Sequence, residues 1–323
     1  MKLRIILFVL VLAGCNQTSA PLVKLSNGNI NTLTVVMPNL LWQSEVGDAV
    51  RAAFAFPAEG LPQQEPLFDL KQMSPEVFTG FARSSRAILW VGFSDEVVIR
   101  TDTNRYATPQ LMTVFSAPDT ASLVEIILSQ STPAIAAFKS AEIAERQRRI
   151  GKSTLKQDAL QKRFGFDLAL PSAYRVFKED AATVWFQREV HKGHVNVLVY
   201  SLPRSTRLDW NSPLQDIIRI RDSVGKAFVP GRLEGTHLIT EEAYEPYVYT
   251  TKVATVPAIE TRGTWEVKGD FMAGPFVQYL LDDSQNKRYL VLEGFVFAPS
   301  VAKRDYIFEA EAIIRSLKKT ESN

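Results

Sequence analysis

Residues 183–201 read Thr-Val-Trp-Phe-Gln-Arg-Glu-Val-His-Lys-Gly-His-Val-Asn-Val-Leu-Val-Tyr-Ser, and this stretch decides the fold. Its β-branched and aromatic residues fall in two runs, Thr183 to Val190 and Val195 to Ser201. Residues of that kind fit a pleated, half-buried surface. Between the runs, His191-Lys-Gly-His194 supplies a short connection with a glycine, which predicts a hairpin. Working towards the C-terminus, strands are expected at 258–267, 276–282 and 288–298. A helix is expected to start at Ser212-Pro213, with Leu214, Ile217, Ile218, Val224 and Phe228 on one side. A final helix at about 302–318 has the stripe Tyr306, Ala310, Ile313, Ile314 and Leu317. Just upstream of the hairpin, Phe164 to Leu170 reads as another strand.

The first half follows similar grammar. Leu33 to Met37 reads as a buried strand, and Ser44 opens a helix with Val46, Ala49, Val50 and Phe54 at helical spacing. Ala87 to Phe93 and Glu96 to Arg100 read as paired strands turned at Ser94-Asp95, and Leu111 to Phe115 as a further strand. Two helices split by Pro133 are expected next, because proline breaks a helix interior. Phe115-Ser-Ala-Pro118, Tyr200-Ser-Leu-Pro203 and Phe297-Ala-Pro299 each end a strand ahead of a helix. That rhyme fits two related units, or simply a proline stop used three times. The expected fold class is α+β, antiparallel sheets with helices packed on one face, in two related units. The divisions are a signal peptide at 1–14, a tether at 15–31, a first α+β domain at 32–150, a linker at 151–161, a second α+β domain at 162–318 and a tail at 319–323.

The start of the chain carries an address. Lys2 and Arg4 precede the apolar run Ile5 to Leu12, too short to span a bilayer, which takes about 20 apolar residues. A basic start, a short apolar stretch and small residues at its end make a secretory signal. That end, Leu12-Ala13-Gly14-Cys15, looks like a bacterial lipobox, in which cleavage precedes a cysteine that takes lipid. Cys15 is the one cysteine of the chain, so no disulfide or cysteine cluster competes for it. The expectation is a lipoprotein held to a membrane through Cys15, in the cell envelope, at the outer membrane and facing the periplasm. Lys2 and Arg4 leave with the signal, so the 37 basic residues fall to 35 and match the 35 acids. A neutral body gives no electrostatic case for nucleic acid. No segment beyond the signal is expected to cross a membrane.

Catalytic patterns are sparse. There is no G-x-S-x-G elbow, no H-E-x-x-H helix and no phosphate loop. His191 and His194 are too few for a closed zinc site, and no metal or cofactor is expected. The densest stretch runs from Glu260-Thr-Arg262-Gly263-Thr-Trp265-Glu266 to Asp270-Phe-Met272-Ala-Gly274-Pro275-Phe276. Alternation places Arg262, Thr264 and Glu266 on one strand face and Gly263, Trp265 and Val267 on the other. A glycine in a strand marks close approach by another backbone or a ligand. Arg262 is suited to a forked pair with a carboxylate of the protein or of a ligand, and Glu293, which interrupts an apolar strand face, is the candidate partner. The stretch is either a structural ion pair or a binding surface of Arg262, Trp265, Glu266, Asp270, Met272, Phe276 and Glu293. Gly60-Leu-Pro-Gln-Gln-Glu65-Pro66-Leu-Phe68 reads as a second ordered loop.

Together the lipobox, Trp42 with Gly47-Asp48-Ala-Val-Arg51, the 60–68 loop and the 262–276 stretch resemble the DUF4837 family of Bacteroidota lipoproteins. Ala273 stands where that pattern has glycine. The resemblance covers nearly the whole chain after the signal, implies an envelope lipoprotein and carries no catalytic residue. The second half, from Phe164-Gly-Phe-x-Leu-x-Leu-Pro171 onward, is also similar to the PsbP/Mog1-like sandwich. Three functions follow as expectations. The first is a non-enzymatic protein that binds an envelope protein or polymer. The second is a hydrolase of an envelope polymer, using paired carboxylates among Glu260, Glu266, Asp270 and Glu293. The third is a carrier of a small apolar ligand, which needs a cavity lined by Trp265, Met272 and Phe276.

Overall fold

The computed structural model describes residues 24–319; the signal and Cys15 lie outside them. Two sheets organise the chain. The first half supplies β1 (Thr32–Val36), α1 (Asn39–Trp42), α2 (Glu45–Phe54), β2 (Asp69–Met73), β3 (Ala87–Phe93), β4 (Val98–Thr103), β5 (Leu111–Ala117) and α3 (Thr120–Ile150). The second supplies α4 (Ala159–Phe164), β6 (Phe166–Asp167), β7 (Arg175–Glu179), β8 (Thr183–Val190), β9 (Gly193–Pro203), α5 (Leu214–Phe228) and β10 (His237–Thr240). It continues with β11 (Tyr247–Val253), β12 (Val256–Lys268), β13 (Asp270–Asp283), β14 (Arg288–Phe297), α6 (Arg304–Ile314) and β15 (Lys318–Lys319).

The larger sheet runs β10-β12-β13-β14-β9-β8-β7, with β11 also paired to β12, and every pairing in it is antiparallel. The chain is α+β, and the 183–201 hairpin is present as β8 and β9. Strict alternation splits this sheet's contents between two cores. Val184, Phe186, Val195, Val197 and Val199 face one core with Ile307, Ala310, Ile313 and Ile314 of α6. Trp185, Leu198 and Tyr200 face the other with Ile217, Ile220 and Phe228 of α5. Helices therefore cover both faces here, because each face is apolar enough to need a cover.

The smaller sheet, β2-β1-β3-β5-β4, departs from the antiparallel expectation. β1 pairs with β2 and with β3 in parallel, β3 pairs with β5 in parallel, and β4 is antiparallel to β5. β5 thus lies between β3 and β4, which do not form the expected hairpin. The physical reason is the return of the chain over one face of the sheet between β1 and β2, with both faces buried. Leu33, Val35 and Met37 pack under α2 and α3, while Val36, Ile88, Met112 and Val114 pack under Phe78 on the far side. Continuous apolar runs of this kind belong to parallel strands joined by crossovers, and α2 lies on the crossover from β1 to β2. The two halves are not topological repeats of one another, and the strand-ending prolines are stops.

Two further expectations change. α3 is one helix of 31 residues that runs through Pro133. Leu123, Ile127, Ala134 and Phe138, on both sides of the proline, are buried in the same core. That packing offsets a penalty of about 3 kcal/mol for an interior proline. α3 is also long and apolar enough, by length and composition, to cross a membrane, contrary to expectation; it lays these residues on the sheet, with 28% of its apolar window buried. The expected strand at 164–170 is the end of α4 and the short β6, which pairs with β15.

Candidate functional site between the two sheets

The two stretches singled out by sequence meet. Gly60, at φ +76°, lies against the backbone of β12, so that a Cβ there would stand 2.8 Å from Gly263 N. Five residues on, the Glu65 carboxylate accepts Lys303 N at 2.7 Å and Arg304 N at 2.9 Å. α6 has no side-chain cap of its own, so the first half of the chain supplies one to a helix of the second. Arg304 completes the joint by donating to Pro66 O and to Asp69 at 2.8 Å.

Arg262 points at α6. Its Nε lies 2.5 Å from Glu260 Oε1 and its Nη2 2.6 Å from Glu311 Oε2. The second contact is an ion pair off the line of a hydrogen bond, and it leaves Nη2 without a hydrogen-bond acceptor. Arg315 closes the ring, to Glu311 at 3.0 Å and Glu260 at 3.1 Å, and Tyr279 Oη donates to Glu311 at 3.2 Å. Burial alone would raise the Glu311 carboxyl, but Arg262, Lys139 and Arg315 outweigh it and hold it at about 2. Lys139 reaches in from α3. Burial first, and Arg262 second, push its ammonium below the ordinary lysine range, while Glu311 and Glu260 partly offset them.

The expected Arg262–Glu293 pair is absent, and the register shows why. Directly opposite residues share a face, and Arg262 faces Val277, which faces Gly294. Glu293 belongs to the row Thr261, Gln278, Glu293, which looks the other way. There it meets Arg221 of α5, with Nη2 at 2.8 Å and Nε at 3.1 Å, both side chains buried. Arg221 stacks its guanidinium 3.9 Å from the centre of the Phe276 ring and donates to Thr240. Burial raises the Glu293 carboxyl, and Arg221 works against it.

The remaining candidates scatter. Trp265 and Phe276 are buried with Phe295 and Ile220, and Met272 packs against them. They fill a core, which removes the cavity that an apolar-ligand carrier needs there. Gly274 sits opposite Trp265, where a Cβ would come within 1.9 Å of Val296 O. Asp270 pairs with exposed Arg232 at 3.2 Å beside the Gly269 turn. Glu266 is half-buried; burial, then Glu241 and Glu242, push its carboxyl above the usual range.

Two hollows flank the 56–61 segment. A cavity of about 220 Å³ is lined by Phe56, Leu61, Lys139, Arg262, Phe308 and Glu311, among others. A groove of about 530 Å³ lies between residues 56–64 and the region of Glu241, Tyr244, Glu245, Tyr247 and Gly263. Three carboxylates line the groove (Glu59, Glu241 and Glu245), and no lysine or arginine does among the described residues. Phe56, Tyr244 and Tyr247 are exposed there, at 58%, 72% and 48%.

Residues 153–316, half of the chain, match the family described as "Domain of unknown function (DUF4837)". The chain belongs to the DUF4837 family. Residues 26–151 match a different model, "Domain of unknown function (DUF8532)", so the motifs at 42–51 and 60–68 fall outside the DUF4837 span. No curated protein matches the DUF4837 chain. Among solved structures it is similar to a variant of the protein Mog1, at 8% identity and a TM-score of 0.31, over 49% of this chain and 92% of that one. It is also similar to LpqN, described as involved in cell envelope biogenesis of Mycobacterium tuberculosis, at 10% identity and a TM-score of 0.29, over 47% and 82%.

Several charged residues of the two faces and the joint were not found by sequence reasoning, and some left a signal. Arg221 sits between Ile217 and Val224 at helical spacing, a charge inside an apolar stripe. Glu309 and Glu311 stand next to the apolar stripe of α6, and both are buried. Lys139 and the capping role of Glu65 had none, since both depend on how the two sheets meet.

Proposed function

We propose that this chain is an envelope lipoprotein, anchored through lipid on Cys15, whose body binds a basic segment of another envelope protein and performs no chemistry. The observation that carries the reading is the groove beside residues 56–64. Its three carboxylates have no cation among the described lining residues, and the Glu266 carboxyl next to it is raised by burial first and then by Glu241 and Glu242. Unbalanced negative charge beside three exposed aromatic rings suits lysine or arginine, which gain from both the carboxylates and the ring faces. β11 forms one side of the approach and, among the described residues, pairs only with β12, which leaves an open edge for an extended segment. The two buried arginines of the larger sheet are matched instead, Arg262 by Glu260 and Glu311, and Arg221 by Glu293.

The lipid anchor rests on Leu12-Ala13-Gly14-Cys15. The test is chemical crosslinking in cells followed by mass spectrometry, comparing the native chain with Glu241→Gln/Glu245→Gln. One recurring envelope protein, lost from the double variant, supports the reading. The same proteins recovered with both chains contradict it.

Hydrolysis by paired carboxylates has one observation on its side, the crowding of Glu266 by Glu241. Glu260, Asp270 and Glu293 are each held by an arginine instead. Hydrolysis of envelope glycan by the purified chain, abolished in Glu266→Gln, would favour that second reading.

A further inference from the structure

We propose that the 220 Å³ cavity between the two sheets binds a small organic monoanion, a carboxylate on an apolar body, seated on the Lys139 ammonium. Charge balance is the first ground. Lys139 faces Arg262, Arg315, Glu260 and Glu311, so three cations meet two carboxylates. Both carboxylates are already engaged by the two arginines. Lys139 itself has no hydrogen-bond or ion-pair partner among the described residues, while burial first and Arg262 second lower its pKa. The other charged groups of the lining do not supply the missing anion. Arg304 is matched by Asp69 and Asp305, and the exposed Glu59 accepts the Tyr249 hydroxyl at 2.7 Å.

Shape is the second ground. Apart from Asn31, the rest of the wall is apolar, with Phe56, Leu61, Leu67, Ile135, Ile307 and Phe308 in it. At ~30 Å³ for a water-sized group, the space holds about seven of them, the scale of benzoate or hexanoate. A charged head on one half-buried cation with an apolar body against apolar walls is the usual build of a small-molecule site. The site does not depend on the groove reading, because its recognition groups are Lys139 and Arg262 rather than Glu241, Glu245 and Tyr244.

The test is titration calorimetry on the detergent-solubilised full chain with benzoate, with hexanoate, and with benzamide as the neutral isostere of benzoate. Saturable binding of one or both acids is expected, with benzamide failing to bind. Lys139→Met should weaken the acid about ten- to a hundredfold, the loss of one charged hydrogen bond. Ile135→Trp, which fills the apolar end and leaves the charges in place, should block it. The proposal falls if neither acid binds at millimolar concentration, or if benzamide binds as well as benzoate. It falls equally if a folded Lys139→Met chain keeps full affinity. Should Lys139→Met not fold, Ile135→Trp decides: undiminished binding overturns the site, and lost binding upholds it.

Discussion

Replacing Glu65 by alanine tests the joint between the two sheets, because this one carboxylate caps the first turn of α6 from the other half of the chain. It accepts Lys303 N at 2.7 Å and Arg304 N at 2.9 Å, and α6 has no side-chain cap to take its place. Loss of a capping side chain costs about 0.5–2 kcal/mol. A negative charge at a helix N-terminus contributes a further ~0.3–1 kcal/mol. Glu65→Ala is therefore expected to destabilise the chain by about 2 kcal/mol. At roughly 2–4 °C per kcal/mol for a body of this size, the melting temperature drops by about 4–8 °C. Glu65→Gln keeps one acceptor oxygen and should lose about half as much. Calorimetric melting gives the magnitude, and hydrogen exchange gives the place, with the Lys303 and Arg304 amides exchanging faster in Glu65→Ala. An alanine variant that melts with the native chain and protects both amides equally would refute the capping argument.

Arg221→Leu leaves Glu293 buried without its partner and is expected to cost about 3–5 kcal/mol, while adding Glu293→Leu should recover most of that loss. Urea unfolding of the two variants checks this, and a double variant no better than the single one would count against it. The Glu311 carboxyl titrates at about 2 in the folded chain against an ordinary 4.5. The stability it lends is full above about pH 4.5 and drains as pH falls towards 2, so Glu311→Gln should flatten the acid limb of melting temperature against pH. Parallel acid limbs would contradict that assignment. Cys15→Ala should leave the body folded and release it from membranes. A variant retained in the membrane fraction after a high-salt wash would speak against the lipid anchor.

What sequence could and could not say divides along physical lines. The strands β8, β9, β12, β13 and β14 were legible as β-branched and aromatic runs between turn residues, and the pleat's period of two put Arg262 and Trp265 on opposite faces correctly. Strand direction in the smaller sheet was not, because the pattern within β1, β3 or β5 does not say which strand lies beside it. The Arg262–Glu293 pairing failed by a single step of register, which periodicity within one strand cannot fix. Pro133 was read as a break because local chemistry says so, and packing on both sides of it overruled that. Of the candidate site, Arg262 and Glu266 were legible as strand charges among apolar neighbours. The groove and the cavity were not, since each is made where residues 56–64 lie across β12.

The central claim, that the groove receives a basic partner, is tested most directly by a photo-crosslinking amino acid placed at Tyr244 in the lipidated chain in living cells. Phe177, exposed on β7 and remote in the sheet order, serves as the control position. A single adduct at Tyr244, mapped by mass spectrometry to a lysine- or arginine-rich segment and missing at Phe177, is the predicted result. No adduct at Tyr244, or the same adducts from both positions, would contradict it.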